Sequence, residues 1–321
     1  MSNVVIIGSG MAGIGLAELL AQDSKFSVTM VSGETSGYYS RPLLSHAFAS
    51  EEVFGRTVLS DVASLQQKFR FIAGKTVAQI LPEAKQVLFE GGEKIDYELL
   101  VLATGSEAFV PPPWLPYQQN FLTLNRYDDA VAIRKLRASG ARRWAVVGGG
   151  VIGCEIASDL AKAGDEVVLV HAVDRLMERI FSPEDSARLA EHLQQQKIIV
   201  MLNTMVTTFT RENGRTRLSH ADGDIEVDAA IVAVGFRPRT ALAAAAGLNV
   251  NRGIVTDDQF RTSVAGIYAI GDGAEVCGNL YPFVAPIRAQ VKHLAGSLLG
   301  TVSGGWLAPA VKVRVKVHGF A

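Results

Sequence analysis

The sequence predicts an α/β chain with two doubly wound parallel sheets. Three observations predict it. A short apolar run turns through glycines into a helical stretch at Val4–Gly13, a second copy of that pattern lies at Trp144–Glu155, and two further apolar strands each end on a glycine, at Gly105 and Gly235. At 321 residues the chain is too long for one ordinary small domain and comfortable for two. Hydrophobic residues make up 48% and charged residues 20%, so a packed core is expected rather than disorder. The formal net charge of -1 lacks the basic excess that a nucleic-acid footprint needs. Two cysteines, Cys154 and Cys277, form no CxxC spacing and no disulfide framework, so a reducing, cytoplasmic location is expected. The N-terminal apolar run has no basic lead and is broken by glycine, which makes it a strand and not a signal peptide. No stretch approaches the ~20 apolar residues of a membrane span, and no membrane partner is expected.

In the first copy, Gly8 permits the tight turn, Gly10 allows close approach of a pyrophosphate, and Gly13 lets helix and strand pack; Ser9, Met11 and Ala12 complete the turn. The helix over Ile14–Leu20 points its free N–H groups at that anion. Phe26–Val31 is the next parallel strand. Ser32 stands where an acid would hold a ribose hydroxyl and Glu34 is the nearest carboxylate, equally readable as a ribose ligand or a solvated loop residue. The loop Tyr38–Phe48 is restricted by Pro42, and Arg41 suits phosphate oxygens. His46 in the same loop reads either as a packed or surface histidine or as a functional one.

A hairpin around Gly91-Gly92 leads into the buried strand Leu99–Gly105, whose end, Ala103, Thr104 and Gly105, lines a cofactor crevice. The proline-rich run Val110–Pro116 reads as a stiff domain crossing. In the second copy Gly148, Gly150 and Gly153 repeat the glycine pattern, Val151 and Ile152 open a helix over Val151–Ala163, and Gly164 closes it. Strand Glu166–Val170 ends at His171, where an acid would favour NADH and an arginine pair NADPH. Neither is present, and Arg175 alone leaves the balance toward NADH. Residues 197–234 read as strands with turns at Asn213-Gly214 and Asp222-Gly223, ending at Gly235. Gly271 and Asp272, in the block Thr262–Ala274, place a carboxylate at a strand's C-terminal edge, able to accept hydrogen bonds from a polyol. Val311–Val317 alternates valine with basic residues, the pattern of a half-buried strand whose sheet partners are missing; either the chain is truncated or the strand pairs with another chain, as in a homo-oligomer.

Two fingerprints, two strand-to-glycine endings and the Ile270-Gly271-Asp272-Gly273-Ala274 block, in this order, resemble the FAD- and NAD(P)H-dependent pyridine nucleotide-disulfide oxidoreductase superfamily across nearly the whole chain. Ser40–His46, Gly148–Glu155 and Asn251–Val255 resemble its rubredoxin and flavorubredoxin reductase branch. The resemblance implies a Rossmann-like FAD-binding domain over 1–108 and 241–300, an NAD(P)H-binding domain inserted over 109–240, and a remnant of a C-terminal domain over 301–321. It assigns Gly8, Gly10 and Gly13 to the FAD pyrophosphate, Asp272 to the ribityl chain, the Val77 backbone to the adenine, and Pro286 and Ile287 to the start of a helix aimed at the flavin. Gly148, Gly150 and Gly153 would carry NAD(P)H. His46 falls where related ferredoxin reductases place a lysine near flavin N5, and Glu155 matches its partner, which makes this the implied catalytic pair.

The departures are equally informative. Ser32–Ser50 contains no cysteine, so a thiol relay is excluded and electrons leave directly from flavin. Cys154, at a helix start, reads as a small packing residue or as an activated thiol. Gly273 replaces a cysteine common in relatives, and no metal-ligand set is evident. The function implied is an FAD-dependent oxidoreductase that takes electrons from NADH, with NADPH possible, and passes them to a small redox protein such as rubredoxin. Arg288 and Lys292 would steer an acidic partner. The alternatives are a ferredoxin reductase or NAD(P)H oxidase on the same fold, or a non-catalytic FAD-binding module.

Overall fold

The computed structural model describes residues 1–311 and 315–320. The chain divides into two compact units. The first comprises Met1–Tyr39, Val58–Glu107 and Arg237–Lys312, and the second comprises Ser40–Thr57, Ala108–Phe236 and Val313–Ala321. The segment 40–57, inside the span 1–108 that the resemblance assigns to the FAD-binding domain, packs within the second unit.

The first unit is built on a five-stranded parallel sheet in the order Ile267–Ala269, Leu99–Leu102, Ser2–Ile7, Phe26–Ser32, Arg70–Ala73. The unbroken apolar run of Val4, Val5 and Ile6 has the pattern of a strand covered on both faces, and all three are fully buried. Val4 pairs with Val28 on one side and Leu99 on the other. Strand order therefore reverses beside Ser2–Ile7, and the loops at the carboxyl ends of the two central strands flank that switch point, where open α/β sheets bind ligands. The helix Met11–Leu20 starts earlier than its apolar periodicity alone indicates. It packs on the helix Val284–Leu299, where a Cβ on Gly15 would lie 3.2 Å from a Val291 methyl. A separate antiparallel sheet, Val77–Leu81, Gln86–Phe89 and Lys94–Asp96, contains the expected hairpin at Gly91-Gly92.

The second unit repeats the plan. Its five-stranded parallel sheet runs Leu122–Thr123, Ala229–Val232, Arg143–Val147, Glu166–Val170, Ile199–Met201. The switch point falls beside Arg143–Val147. Strands Thr208–Glu212, Arg215–His220 and Gly223–Val227 form an antiparallel sheet whose first turn is Asn213-Gly214, both at positive φ (51° and 80°) as a tight hairpin requires. Within the proline-rich run, shortly after the second unit takes up the chain at Ala108, Pro112–Asn120 coils into a 3₁₀ helix. Proline supplies the φ such a helix needs, and Trp114 drives it inward, stacking edge-on to Phe209 at 5.2 Å and donating Nε1–H to the Val206 carbonyl.

Of the strand expected over Val311–Val317, residues 312–314 lie outside the described residues, and Val311 and Val315–Val317 are not in a strand. Lys316 and His318 instead give their backbone N–H groups to Glu155 Oε1 and Ser158 Oγ. Among the described residues no helix is long and apolar enough to cross a membrane.

Candidate functional site

Each unit carries the same glycine turn at its switch point. Gly8, at φ 111°, donates to the Val31 carbonyl at 2.8 Å, and a Cβ there would meet the Ala103 carbonyl oxygen at 2.1 Å. Gly148, at φ 121°, donates to the Val170 carbonyl at 2.8 Å, and its Cβ would meet the Ala233 oxygen at 2.3 Å. No L-side chain fits either position. The third glycines, Gly13 and Gly153, press on the Gly8 and Gly148 carbonyl oxygens, where a Cβ would stand 1.9 and 1.8 Å away. These contacts close the turn onto the strand ends at Ala103 and Ala233, whose N–H groups bond to Ile7 and Val147.

The middle glycines differ. A Cβ on Gly10 or Gly150 would meet no atom within 4 Å, and neither helix has a side-chain cap. The first-turn N–H groups thus face open space at the positive end of a helix, with Met11, Ala12, Val151 and Ile152 supplying them. Such a cradle fits a pyrophosphate.

In the first unit several sequence-predicted residues bond to this turn or to one another. Ser9 and Ser32 share a hydroxyl hydrogen bond of 2.8 Å. Ser32 Oγ accepts from the Glu34 N–H at 3.1 Å, while the Glu34 carboxylate accepts from the Tyr39 hydroxyl at 2.6 Å. Thr104 Oγ1 donates to the Arg239 carbonyl, and the Ser106 hydroxyl donates to Asp272 Oδ2 at 3.3 Å. Val77 opens the antiparallel sheet. The helix expected to begin at Pro286 and Ile287 starts at Val284; Pro286 is tolerated because first-turn N–H groups have no intrahelical partner.

Sequence reasoning missed Gln290. Fully buried, it accepts the Gly271 N–H on Oε1 at 2.8 Å, while its Nε2 is buried with no hydrogen-bond partner among the described residues. Other buried donors, Trp144 Nε1 and Trp306 Nε1 among them, are left likewise; Gln290 differs in that its Oε1 holds Gly271, next to Asp272. Its place in an apolar helix was the one available signal.

In the second unit, Arg41 donates to the Asn125 carbonyl at 2.6 Å. Gly235 (φ 123°) accepts from the Phe109 N–H at 2.9 Å. His46 and Glu155, 109 positions apart in sequence, are brought together. Both are buried, with His46 Nε2 3.4 Å from Glu155 Oε2 as a charge contact. Glu155 also accepts from the Ser45 hydroxyl at 2.7 Å and the Lys316 N–H at 3.0 Å. Burial pushes its carboxyl up, but the His46 imidazole, the Ser45 hydroxyl and the Lys316 amide outweigh it and hold the group below the usual carboxylate range.

Next to this pair, His46, Asp159 and His318 bring nitrogen and oxygen atoms within 4.8 Å of one another. Asp159 is already occupied: one oxygen takes the Phe48 and Ala49 amides, the other His318 Nε2 at 2.8 Å. Lys162 Nζ, 3.3 Å from His318 Nδ1, opposes a further cation there. Cys154 is fully buried, and burial, then the Glu155 charge, pushes its thiol up, so it packs rather than reacts.

The family model described as "Pyridine nucleotide-disulphide oxidoreductase" matches residues 2–293. The chain belongs to this family. The oxidoreductase is similar to the nitric oxide reductase FlRd-NAD(+) reductase of Escherichia coli (strain SMS-3-5 / SECEC), which is 36% identical over 98% of this chain and 84% of its own. Among solved structures, the oxidoreductase is similar to putidaredoxin reductase in its covalent complex with putidaredoxin, at 29% identity and TM-score 0.86 over 96% of this chain and 78% of that one. It is similar also to the ferredoxin reductase for the CYP199A2 system from Rhodopseudomonas palustris, at 28% identity and TM-score 0.88 over 96% and 78%.

Proposed function

We propose that the chain is an FAD-dependent oxidoreductase that takes electrons from a reduced nicotinamide dinucleotide and delivers them to a small redox protein of the rubredoxin type. The first unit is the FAD-binding domain and the second the nicotinamide-dinucleotide domain. The observation that carries the reading is the doubled glycine turn, closed by backbone contact at Gly8 and Gly148 and left open at Gly10 and Gly150. One such cradle binds one dinucleotide, and two in one chain bring a donor and an acceptor cofactor to the same molecule. The names of the relatives, a flavorubredoxin reductase and reductases of putidaredoxin and ferredoxin, support the acceptor class.

FAD, when bound, supplies the two-electron to one-electron conversion that lets a dinucleotide feed a one-electron carrier. The chain supplies the rest. Met11 and Ala12 N–H groups hold the first pyrophosphate, Asp272 accepts hydroxyls of a polyol, and Gln290 Nε2 donates to the bound group while its Oε1 keeps Gly271 in place. Val151 and Ile152 hold the second pyrophosphate. His46 Nε2 and Glu155 Oε2, buried and 3.4 Å apart, are the implied catalytic pair. With no cysteine between Ser32 and Ser50, no thiol stands in the path. The test is acceptor choice: at fixed NADH, a purified rubredoxin is reduced far faster than oxygen. Faster consumption of oxygen than of any redox protein would replace this reading with an oxidase.

A further inference from the structure

The strand Glu166–Val170 ends where the second unit's fold would meet the adenosine ribose, and the residue there is His171, not an acid. His171 is fully engaged. Its Nδ1 accepts the Gly149 N–H at 3.0 Å, which leaves the ring proton on Nε2, and Nε2 lies 3.3 Å from Glu178 Oε2. The ring is seated tightly, since a Cβ on Gly149 would lie 2.7 Å from His171 Cγ and 2.6 Å from Leu176 Cδ2.

The turn that bears Glu178 is fixed from its other side as well. Met177, buried, sits at φ 50°, a left-handed conformation that non-glycine residues rarely adopt, and gives its N–H to the Gly149 carbonyl at 2.9 Å. Arg175 donates to the Glu178 carbonyl at 3.2 Å. The same glycine loop thus holds both His171 and Glu178. The Glu178 side chain keeps 31% of its surface exposed, and its other oxygen lies 3.5 Å from Arg179 Nε, an arginine 91% exposed.

We propose that Glu178, reaching back from the following turn, is the acid this site uses in place of one at the strand end, and that it selects NADH over NADPH. The inference rests on the reading of the second unit as a nicotinamide-dinucleotide domain. A carboxylate beside the strand end accepts the adenosine ribose hydroxyls of NADH. Facing NADPH, it meets a 2′-phosphate of like charge, and His171, with Nδ1 bonded to the main chain and its Nε2 proton directed to Glu178, has no donor to offer that phosphate. Of the basic groups on the turn, Arg175 gives an N–H to the Glu178 main-chain carbonyl and Arg179 lies 3.5 Å from its carboxylate. His171 is a positioning residue that keeps the carboxylate against the glycine loop.

The test uses the full-length, FAD-loaded protein and two readouts: calorimetric titration with NAD⁺ and NADP⁺, and kcat/KM for NADH and NADPH with ferricyanide as acceptor. The wild-type protein is expected to prefer the unphosphorylated dinucleotide by about tenfold or more in both. Glu178→Gln erases most of that preference through Kd and KM, Glu178→Arg reverses it, and Glu178→Asp retains much of it. His171→Ala lowers the ratio in the same direction without changing FAD content. Equal binding of NAD⁺ and NADP⁺ by the wild type, or a ratio unmoved by Glu178→Gln and Glu178→Arg, overturns the proposal. Binding of neither dinucleotide removes the nucleotide domain itself, a separate result that takes this inference with it.

Discussion

The two glycines Gly10 and Gly13, three positions apart, are expected to fail in opposite ways when given a methyl group. Gly10 sits at φ −74° and ψ −178°, a conformation alanine adopts freely, with no protein atom within 4 Å of the added Cβ. Alanine is a poorer helix N-cap than glycine, and Gly10→Ala should cost the apo-protein only about 0.5–1 kcal/mol. The methyl stands where a pyrophosphate must approach, and holding it off weakens one or two charge-assisted hydrogen bonds worth about 1.5–3 kcal/mol each. FAD affinity should therefore fall by roughly ten- to a hundredfold or more. Gly13→Ala puts its Cβ 1.9 Å from the Gly8 carbonyl oxygen, so helix and strand must separate by more than the methyl's share of slack. That overpacking costs about 1–3 kcal/mol or more and lowers the melting temperature whether or not FAD is present. Urea unfolding of the apo-proteins and FAD titration followed by flavin fluorescence separate the two. Unchanged FAD affinity in Gly10→Ala, or an apo-protein as destabilised as that of Gly13→Ala, would refute the division of labour within the turn.

Gly150→Ala should raise the Kd for NAD⁺ by a similar factor in calorimetry while leaving FAD content intact, because its Cβ also meets no protein atom. Glu155 is held below its ordinary pKa, so its contribution to stability is present above the unfolded value of about 4.3 and is lost as pH falls through the lower folded value. The wild type should accordingly lose more stability than Glu155→Gln between about pH 5 and pH 3, read from urea midpoints; parallel pH profiles would contradict this. In the native protein a thiol reagent should titrate Cys277, exposed at φ 48°, and spare buried Cys154 until denaturant is added. Arg288 and Lys292, exposed one turn apart on the helix Val284–Leu299, should make turnover with an acidic redox protein fall as salt rises, and charge reversal of both should flatten that dependence.

Much of the fold was legible because its signals are local. Val4–Ile7 and Trp144–Val147 are apolar without alternation, as strands covered on both faces must be, and the glycines that follow mark where main chain meets main chain. Duplication made each copy evidence for the other. What escaped is carried by contacts distant in sequence. Nothing in Tyr38–Phe48 foretells that the Phe48 and Ala49 amides bond to Asp159, or that Arg134 and Arg137 take the Ala47 and Phe48 carbonyls, which is what ties segment 40–57 to the second unit. His46 and Glu155 were paired only through resemblance, since spacing in the chain says nothing of a 3.4 Å approach. The Glu178 carboxylate, seven positions beyond His171 in the chain, meets its ring only through the left-handed turn at Met177, which no local pattern announces. Proline's φ serves an extended linker and a 3₁₀ turn alike, and buried Trp114 decides for the turn.

Mixing the FAD-loaded protein with one equivalent of NADH in the absence of oxygen tests whether one chain carries both the donor and the acceptor dinucleotide. Rapid loss of the oxidised-flavin absorbance is expected, with its return when oxidised rubredoxin is added. A flavin that stays oxidised under NADH would contradict it.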